Sequence, residues 1–224
     1  MISALTPSRG RPDLLERAIA SLYDTASDPG NVEVLVRYDN DDLSVLEAAE
    51  VCGLNWDHPW IDIIGEPHGY TGMATYYNEL AATASGDWLL IFNDDALMQT
   101  PGWDAIIESR GPGLKNLSID NNHGRAYACF PCVPKRWFDI CGHLALDTRV
   151  DSWLQQVAQA TDCFVEENDV FILHDRYDLT GNNDDETFRR RYIDAEFWTS
   201  FDSPENQATR GEDVRRIREA MGAA

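Results

Sequence analysis

Along the first hundred residues the apolar positions fall in short blocks, each closed by a polar break rich in glycine, proline or aspartate. Residues 1–5 form such a block, ended by Thr6-Pro7-Ser8-Arg9-Gly10-Arg11-Pro12, and predict a strand followed by a loop. Pro12 suits the first position of a helix, and Leu14, Leu15, Ala18, Ile19 and Leu22 then recur at helical spacing. Asp28-Pro29-Gly30 predicts a turn. Val32-Glu33-Val34-Leu35-Val36 predicts a second strand, running into Tyr38-Asp39-Asn40-Asp41-Asp42. A helix over about 44–51 and a third strand over 60–64 are expected next. Gly69-Tyr70-Thr71-Gly72 reads as a loop before a helix over about 73–84, which Gly86 stops. Trp88-Leu89-Leu90-Ile91-Phe92 is the most hydrophobic block and ends in Asn93-Asp94-Asp95.

The third block, 60–64, again reads as apolar on both faces, the pattern of parallel strands. Four rounds of strand and helix predict an open, mostly parallel α/β sheet flanked by helices. Ligands of such sheets bind beyond the carboxyl ends of the strands. Three ends carry polar clusters here (Thr6 to Arg11, Asp39 to Asp42 and Asn93 to Asp95), so they are expected to meet in one crevice.

The second half is less regular. The pattern predicts a strand over 127–133, a short helix over 135–140, a helix over 152–160, and a strand over 169–173 that ends in His174-Asp175. Gly181-Asn182-Asn183-Asp184-Asp185 reads as a polar loop, and residues 186–224 as a charged, partly helical cover or tail.

At 224 residues, with 43% hydrophobic and 25% charged residues, the chain fits one globular α/β domain. No stretch of about 18 apolar residues exists, and the start lacks a basic segment leading into an apolar one. Neither a membrane span nor a signal peptide is expected, which makes a cytoplasmic location the expectation. The net charge of −21 repels phosphate backbones over most of the surface and disfavours a nucleic-acid partner. Arginines at 9, 11 and 17, and again at 189–191, leave a local basic groove open. The odd number of cysteines argues for reduced thiols. Cys129, Cys132, Cys141 and His143 have the residue types of a zinc site, yet no second CxxC pair accompanies them, and buried structural cysteines are the preferred reading.

Two carboxylates at the end of a buried strand can hold a divalent cation, which neutralises a diphosphate. Asn and Asp also suit a polar turn or a helix cap. The motifs together resemble the nucleotide-binding half of the family-two inverting glycosyltransferases, which have the GT-A fold. That resemblance rests on Leu5-Thr6-Pro7-Ser8-Arg9 after the first strand, Asp39 at the end of the second, the loop Gly69 to Gly72, Asn78 in the next helix, Ala84-Ser85-Gly86-Asp87-Trp88, Asn93-Asp94-Asp95 in place of Asp-x-Asp, and Pro101-Gly102-Trp103. It implies residues 1–103 as the nucleotide-sugar-binding half, 104–185 as the acceptor-side half and 186–224 as an extension.

The resemblance further implies a nucleotide-sugar donor, a UDP-sugar being favoured, with Asp39 on the base. Thr6, Arg9, Arg11 and Asp94 would contact the donor, Arg9 or Arg11 steadying ribose or phosphate. Asn93 replaces the first acid of the motif, so Asp95 is the expected direct ligand of the metal. Tyr77 stands where the family often has arginine. Many GT-A enzymes place a late histidine on the metal; His174 is the candidate, and an imidazole ligand suits Mn²⁺ better than Mg²⁺. A lone histidine at a strand end is as often purely structural.

Pro134-Lys135-Arg136-Trp137-Phe138 with Cys141-Gly142 resembles the segment before the acceptor-side base. Asp151 is the candidate catalytic base, with Asp147 second; Asp151 is equally a natural helix N-cap. The expected reaction is metal-dependent transfer of a sugar, with inversion, to an acceptor hydroxyl. Saccharide or other glycan acceptors, and hydroxymethylated bases of viral DNA, all remain open. A sugar-phosphate nucleotidyltransferase shares a similar sheet, but the loop from Leu5 to Pro12 has one glycine and no lysine. A binding module of the same fold without chemistry is the other reading, on account of Asn93.

Overall fold

The computed structural model describes residues 1–44, 58, 60–111, 113–124, 128–190 and 200–222. An apolar strand β1 (Ile2–Ser8) leads to helix α1 (Pro12–Thr25), with Pro12 at the helix start as expected. Strands β2 (Val32–Asp39) and β3 (Trp60–Gly65) follow, then helix α2 (Met73–Thr83) and strand β4 (Trp88–Ile91). The helix predicted over 44–51 falls, apart from Ser44, outside the described residues.

Four further strands build the other half of the sheet: β5 (Ala96–Met98), β6 (Asn116–Asn121), β7 (Pro131–Pro134) and β8 (Phe164–His174). Between and after them lie α3 (Trp103–Ser109), α4 (Lys135–Cys141), α5 (Val150–Ala160), α6 (Tyr177–Thr180), α7 (Glu186–Arg190) and α8 (Pro204–Gly222). The short β5, β6 and α3 carry too few periodic positions to stand out in the sequence. Strand β7 is shorter than the 127–133 expected, and β8 longer than 169–173.

Among the described residues the sheet has the strand order β3-β2-β1-β4-β7-β6-β8-β5. Strands β3, β2, β1 and β4 run parallel, and β1, β2 and β4 are buried on both faces. Strand β3, at the sheet edge, alternates and exposes Asp62 and Ile64, against the expectation of two apolar faces. Strand β7 pairs antiparallel with β4 and β6, and β5 antiparallel with β8, so the second half is mixed.

Alternation along each strand divides the core in two. Val34, Val36, Leu90 and Phe92 pack on the side of α1, while Leu35, Leu89 and Ile91 pack on the side of α2, α4, α5 and α8. Arg37 and Asp39 follow Leu35 at steps of two and therefore lean toward α2. The Pro101-Gly102-Trp103 motif is structural: Gly102 has φ +74°, its N–H donates to the Thr25 carbonyl, and the Trp103 indole donates to the Leu22 carbonyl at 3.0 Å. Both contacts pin the end of α1. Asn78 likewise ties α2 to the loop before α5, donating to the Ala145 carbonyl and accepting from the Leu144 N–H.

The expected carboxy-terminal tail is instead, over residues 204–222, a docked helix. Ile217 of α8 is fully buried in the second core, and Asp213 accepts from the Trp153 indole at 2.9 Å and contacts His143 at 3.1 Å.

Candidate functional site

One cavity of about 180 Å³ opens beyond the carboxyl ends of β1, β2, β4 and β8, where a sheet of this winding places its ligands. Its walls include Arg9, Arg11, Asp39, Asp94, Asp95 and His174, so six of the eight residues singled out in the sequence line one cavity.

Asp94 and Asp95 follow β4 directly and are buried. The Ser8 hydroxyl donates to Asp94 Oδ2 at 2.9 Å, and one Arg11 nitrogen lies 3.1 Å from Asp94 Oδ1 and 3.3 Å from Asp95 Oδ2. Strand β5 then pairs with β8 so that Ala96 faces His174, and the Asp175 N–H donates to the Asp95 carbonyl. That register puts His174 Nε2 3.2 Å from Asp95 Oδ1. Burial pushes the Asp94 carboxyl up to about 6, reinforced by the neighbouring Asp95 charge and opposed by Arg11. Burial acts on Asp95 in the same sense, but the hydrogen bond and electrostatic influence of His174, with Arg11, outweigh it and hold that carboxyl down at about 2.

Two ligands on adjacent corners of an octahedron, each about 2.1 Å from the ion, stand roughly 3 Å apart. The separation of Asp95 Oδ1 from His174 Nε2 fits that spacing. The other ring nitrogen, Nδ1, is buried with no hydrogen-bond partner among the described residues, so the fold does not commit the imidazole to one tautomer. The carboxylate and imidazole therefore suit a divalent ion. As the side chains stand, no group of three or more His, Cys, Asp or Glu residues among those described is arranged around a metal position. This holds for the cysteines too: Cys132 lies in β7, Cys141 in the second core, and His143 is engaged by Asp213.

Asn93 is held away from metal duty. Its side-chain oxygen accepts from the Tyr77 hydroxyl at 2.7 Å, and its amide nitrogen is 3.5 Å from His174 Nε2. Tyr77, in the position the family often gives to arginine, thus orients the first residue of the motif.

Asp39 is buried, with Oδ1 accepting from the Tyr76 hydroxyl at 2.9 Å and Oδ2 from Arg9 at 2.8 Å. Arg37 approaches Oδ1 at 3.4 Å and stacks over the Tyr76 ring, 4.9 Å from its centroid. Sequence reasoning missed Arg37, although a charge inside a fully buried strand, two residues before Asp39, was a visible signal. It also missed Tyr76 and Arg176, and the walls from Thr187 and Phe188, which only the folded chain brings to the cavity.

The two other candidates lie off the cavity wall. Thr6 is fully buried in β1, with its hydroxyl unpartnered among the described residues. Asp151 is the second residue of α5, whose N-cap is Arg149, so it does not cap the helix. Burial, followed by the charges of Asp94, Asp151 and Asp95, raises the Tyr77 hydroxyl well above the tyrosine range; Tyr77 thus lies in the field of both acidic groups. Asp147 is buried and engaged by the Arg149 N–H, the Ser200 hydroxyl and the Asn206 amide.

Residues 3–108 match the model of glycosyl transferase family 2. No curated protein sequence matches the chain. Among solved structures it is similar to the Pyrobaculum calidifontis mannosyltransferase PcManGT in complex with GDP-Man and Mn²⁺, at 14% identity and TM-score 0.64, over 100% of this chain and 75% of that one. It is similar to residues 1–349 of Staphylococcus aureus TarS in complex with UDP, at 13% identity and TM-score 0.57, over 99% and 91%. A third is the Mycobacterium tuberculosis glucosyl-3-phosphoglycerate synthase with Mn²⁺, UDP and glucosyl-3-phosphoglycerate, at 14% identity and TM-score 0.54, over 78% and 71%. Family match and sheet agree on the fold: residues 3–108, just under half of the chain, match glycosyl transferase family 2, and the architecture is that of the GT-A glycosyltransferases.

Proposed function

We propose that the chain transfers a sugar from a nucleotide-sugar to an acceptor hydroxyl, with inversion at the anomeric carbon and with a divalent ion, Mn²⁺ before Mg²⁺. The observation that carries this reading is the meeting of Asp39, Asp94, Asp95, His174 and Arg11 around one cavity, from four separate strand ends. Asp95 and His174 would hold the ion, which when bound supplies positive charge to the leaving diphosphate.

The remaining work falls to the chain. Asp39, with Arg9 and Tyr76 fixed on it, presents a rigid polar edge to the nucleotide base, a UDP-sugar being favoured by the resemblance. Arg11 and Arg176 add fixed positive charge to the cavity wall where the diphosphate lies. Asp151, near the start of α5 where the helix dipole favours its ionised form, takes the proton of the acceptor hydroxyl. Attack from the face opposite the diphosphate then inverts the anomeric centre. The three donors that hold Asp147 favour Asp151 for this role.

The acceptor is a saccharide, another glycan or a hydroxymethylated base; the −21 charge weighs against the last. Among the described residues no helix is long and apolar enough to cross a membrane, in keeping with an acceptor met in water. A thermal-shift screen of nucleotide-sugars with Mn²⁺ tests the reading, followed by transfer to an acceptor panel and NMR of the product's anomeric configuration. Stabilisation by a nucleotide-sugar and an inverted product are expected. Pyrophosphate release from a sugar phosphate and a nucleoside triphosphate would instead identify a nucleotidyltransferase.

A further inference from the structure

The cation nearest to the Asp94–Asp95 pair belongs to the chain itself. One terminal nitrogen of Arg11 lies 3.1 Å from Asp94 Oδ1 and 3.3 Å from Asp95 Oδ2. The opposite edge of the same guanidinium forks onto Asp185, Nε to Oδ2 and the second terminal nitrogen to Oδ1, both at 2.8 Å. A planar guanidinium engaged on both edges is fixed in orientation, and this side chain is only 8% exposed. Asp185 also caps α7 by accepting from the Phe188 N–H at 2.8 Å, and Thr187 and Phe188 of that helix wall the cavity. A single side chain thus joins the carboxylate pair to the segment that covers it.

We propose that Arg11, through the charge it places on the Asp94–Asp95 pair, is a positioning residue that sets the metal affinity of the Asp95–His174 site, and that Asp185 sets how much of that charge the pair receives. This rests on the metal reading of the site. Two buried carboxylates side by side repel each other, and the guanidinium offsets that repulsion before any ion arrives. The same charge repels an incoming dication. Asp185 draws Arg11 toward the outer edge of the cavity and so limits that repulsion.

Opposite signs follow for two substitutions. Arg11→Gln removes the competing charge and tightens Mn²⁺ binding by about tenfold or more, screening having reduced a larger Coulomb effect. Asp185→Asn leaves Arg11 to the pair alone and weakens Mn²⁺ binding, by about threefold to tenfold. General damage to the fold would weaken both.

The test is a Mn²⁺ titration of the full chain, without donor, read by calorimetry or by the spin-resonance signal of free Mn²⁺. The wild type, Arg11→Gln and Asp185→Asn are compared, with circular dichroism to confirm folding. Tighter binding by the first and weaker binding by the second supports the inference. An unchanged or weakened Arg11→Gln, beside a wild type that binds Mn²⁺, overturns it and leaves the metal reading standing. Asp185→Asn keeps the buried guanidinium; should Arg11→Gln fail to fold, unchanged Mn²⁺ binding by Asp185→Asn alone overturns the inference. Absence of Mn²⁺ binding in all three overturns both the inference and the metal reading.

Discussion

His174 Nε2 lies 3.2 Å from Oδ1 of Asp95, two groups far apart in the chain that share one edge of the cavity. The antiparallel pairing of β5 with β8 causes this, because it fixes Ala96 opposite His174. A carboxylate oxygen and an imidazole nitrogen at this separation can present two donor atoms to one divalent ion.

Removing either partner is therefore expected to remove the metal response. Asp95→Ala should abolish Mn²⁺-stimulated transfer, and His174→Ala should weaken Mn²⁺ binding by at least about tenfold, since even outer-shell partners of metal sites cost that much. Metal titration and transfer assays on both variants check this. Near-normal transfer by Asp95→Ala would refute the metal assignment.

Asp151 and Asp147 are expected to separate cleanly. Asp151→Asn should lower kcat by roughly 10²–10⁴ with donor affinity unchanged, the range for loss of a general base. Asp147→Asn should instead destabilise the fold by about 1–3 kcal/mol, because Ser200, Asn206 and the Arg149 N–H lose a charged acceptor. Steady-state kinetics and denaturant unfolding distinguish the two. Comparable kinetic losses in both variants would leave the base unassigned to Asp151.

Glu33 predicts an acid-sensitive element of stability. Burial alone would raise its carboxyl, but hydrogen bonds from Ser3, Ser85 and the Gly86 N–H outweigh it and hold the carboxyl below its ordinary value of 4.5. Because the folded form is the stronger acid, the stability it contributes is complete above 4.5 and is lost as the pH falls through the depressed folded value. Glu33→Gln should cost about 1–3 kcal/mol at neutral pH, the difference from wild type shrinking below about pH 4. Melting curves across that range measure it; a constant difference would contradict the assignment.

Ile217→Ala tests whether α8 belongs to the catalytic domain. Its side chain is fully buried in the core shared with α5, so a loss of about 2–5 kcal/mol is expected from unfolding curves, with a single transition. A loss under about 0.5 kcal/mol, typical of surface positions, would mean that the helix is only loosely attached.

Most of the first hundred residues was legible because the signals there are local. The blocks at β1, β2 and β4 are mostly apolar and buried, and their polar ends at Arg9, Asp39 and Asp94 lie at or within three residues of the strand end. Proline at the start of α1 and the glycine before Trp103 are likewise dictated by backbone geometry. The second half hid β5 and β6, and it ranked Asp151 before Asp147 as candidate base without showing what either side chain touches. Their difference lies in what surrounds them: Ser200 and Asn206 hold Asp147 from beyond α7.

By itself, then, the sequence determined the first four strands, their parallel winding and the cavity end where carboxylates collect, since periodicity and turn chemistry depend on neighbouring residues. Tertiary structure alone decided that His174 meets Asp95, that Arg37 and Tyr76 brace Asp39, and that Arg11 reaches Asp185. Such meetings depend on strand register and on helices docking across two core faces, and no local stretch of sequence encodes either.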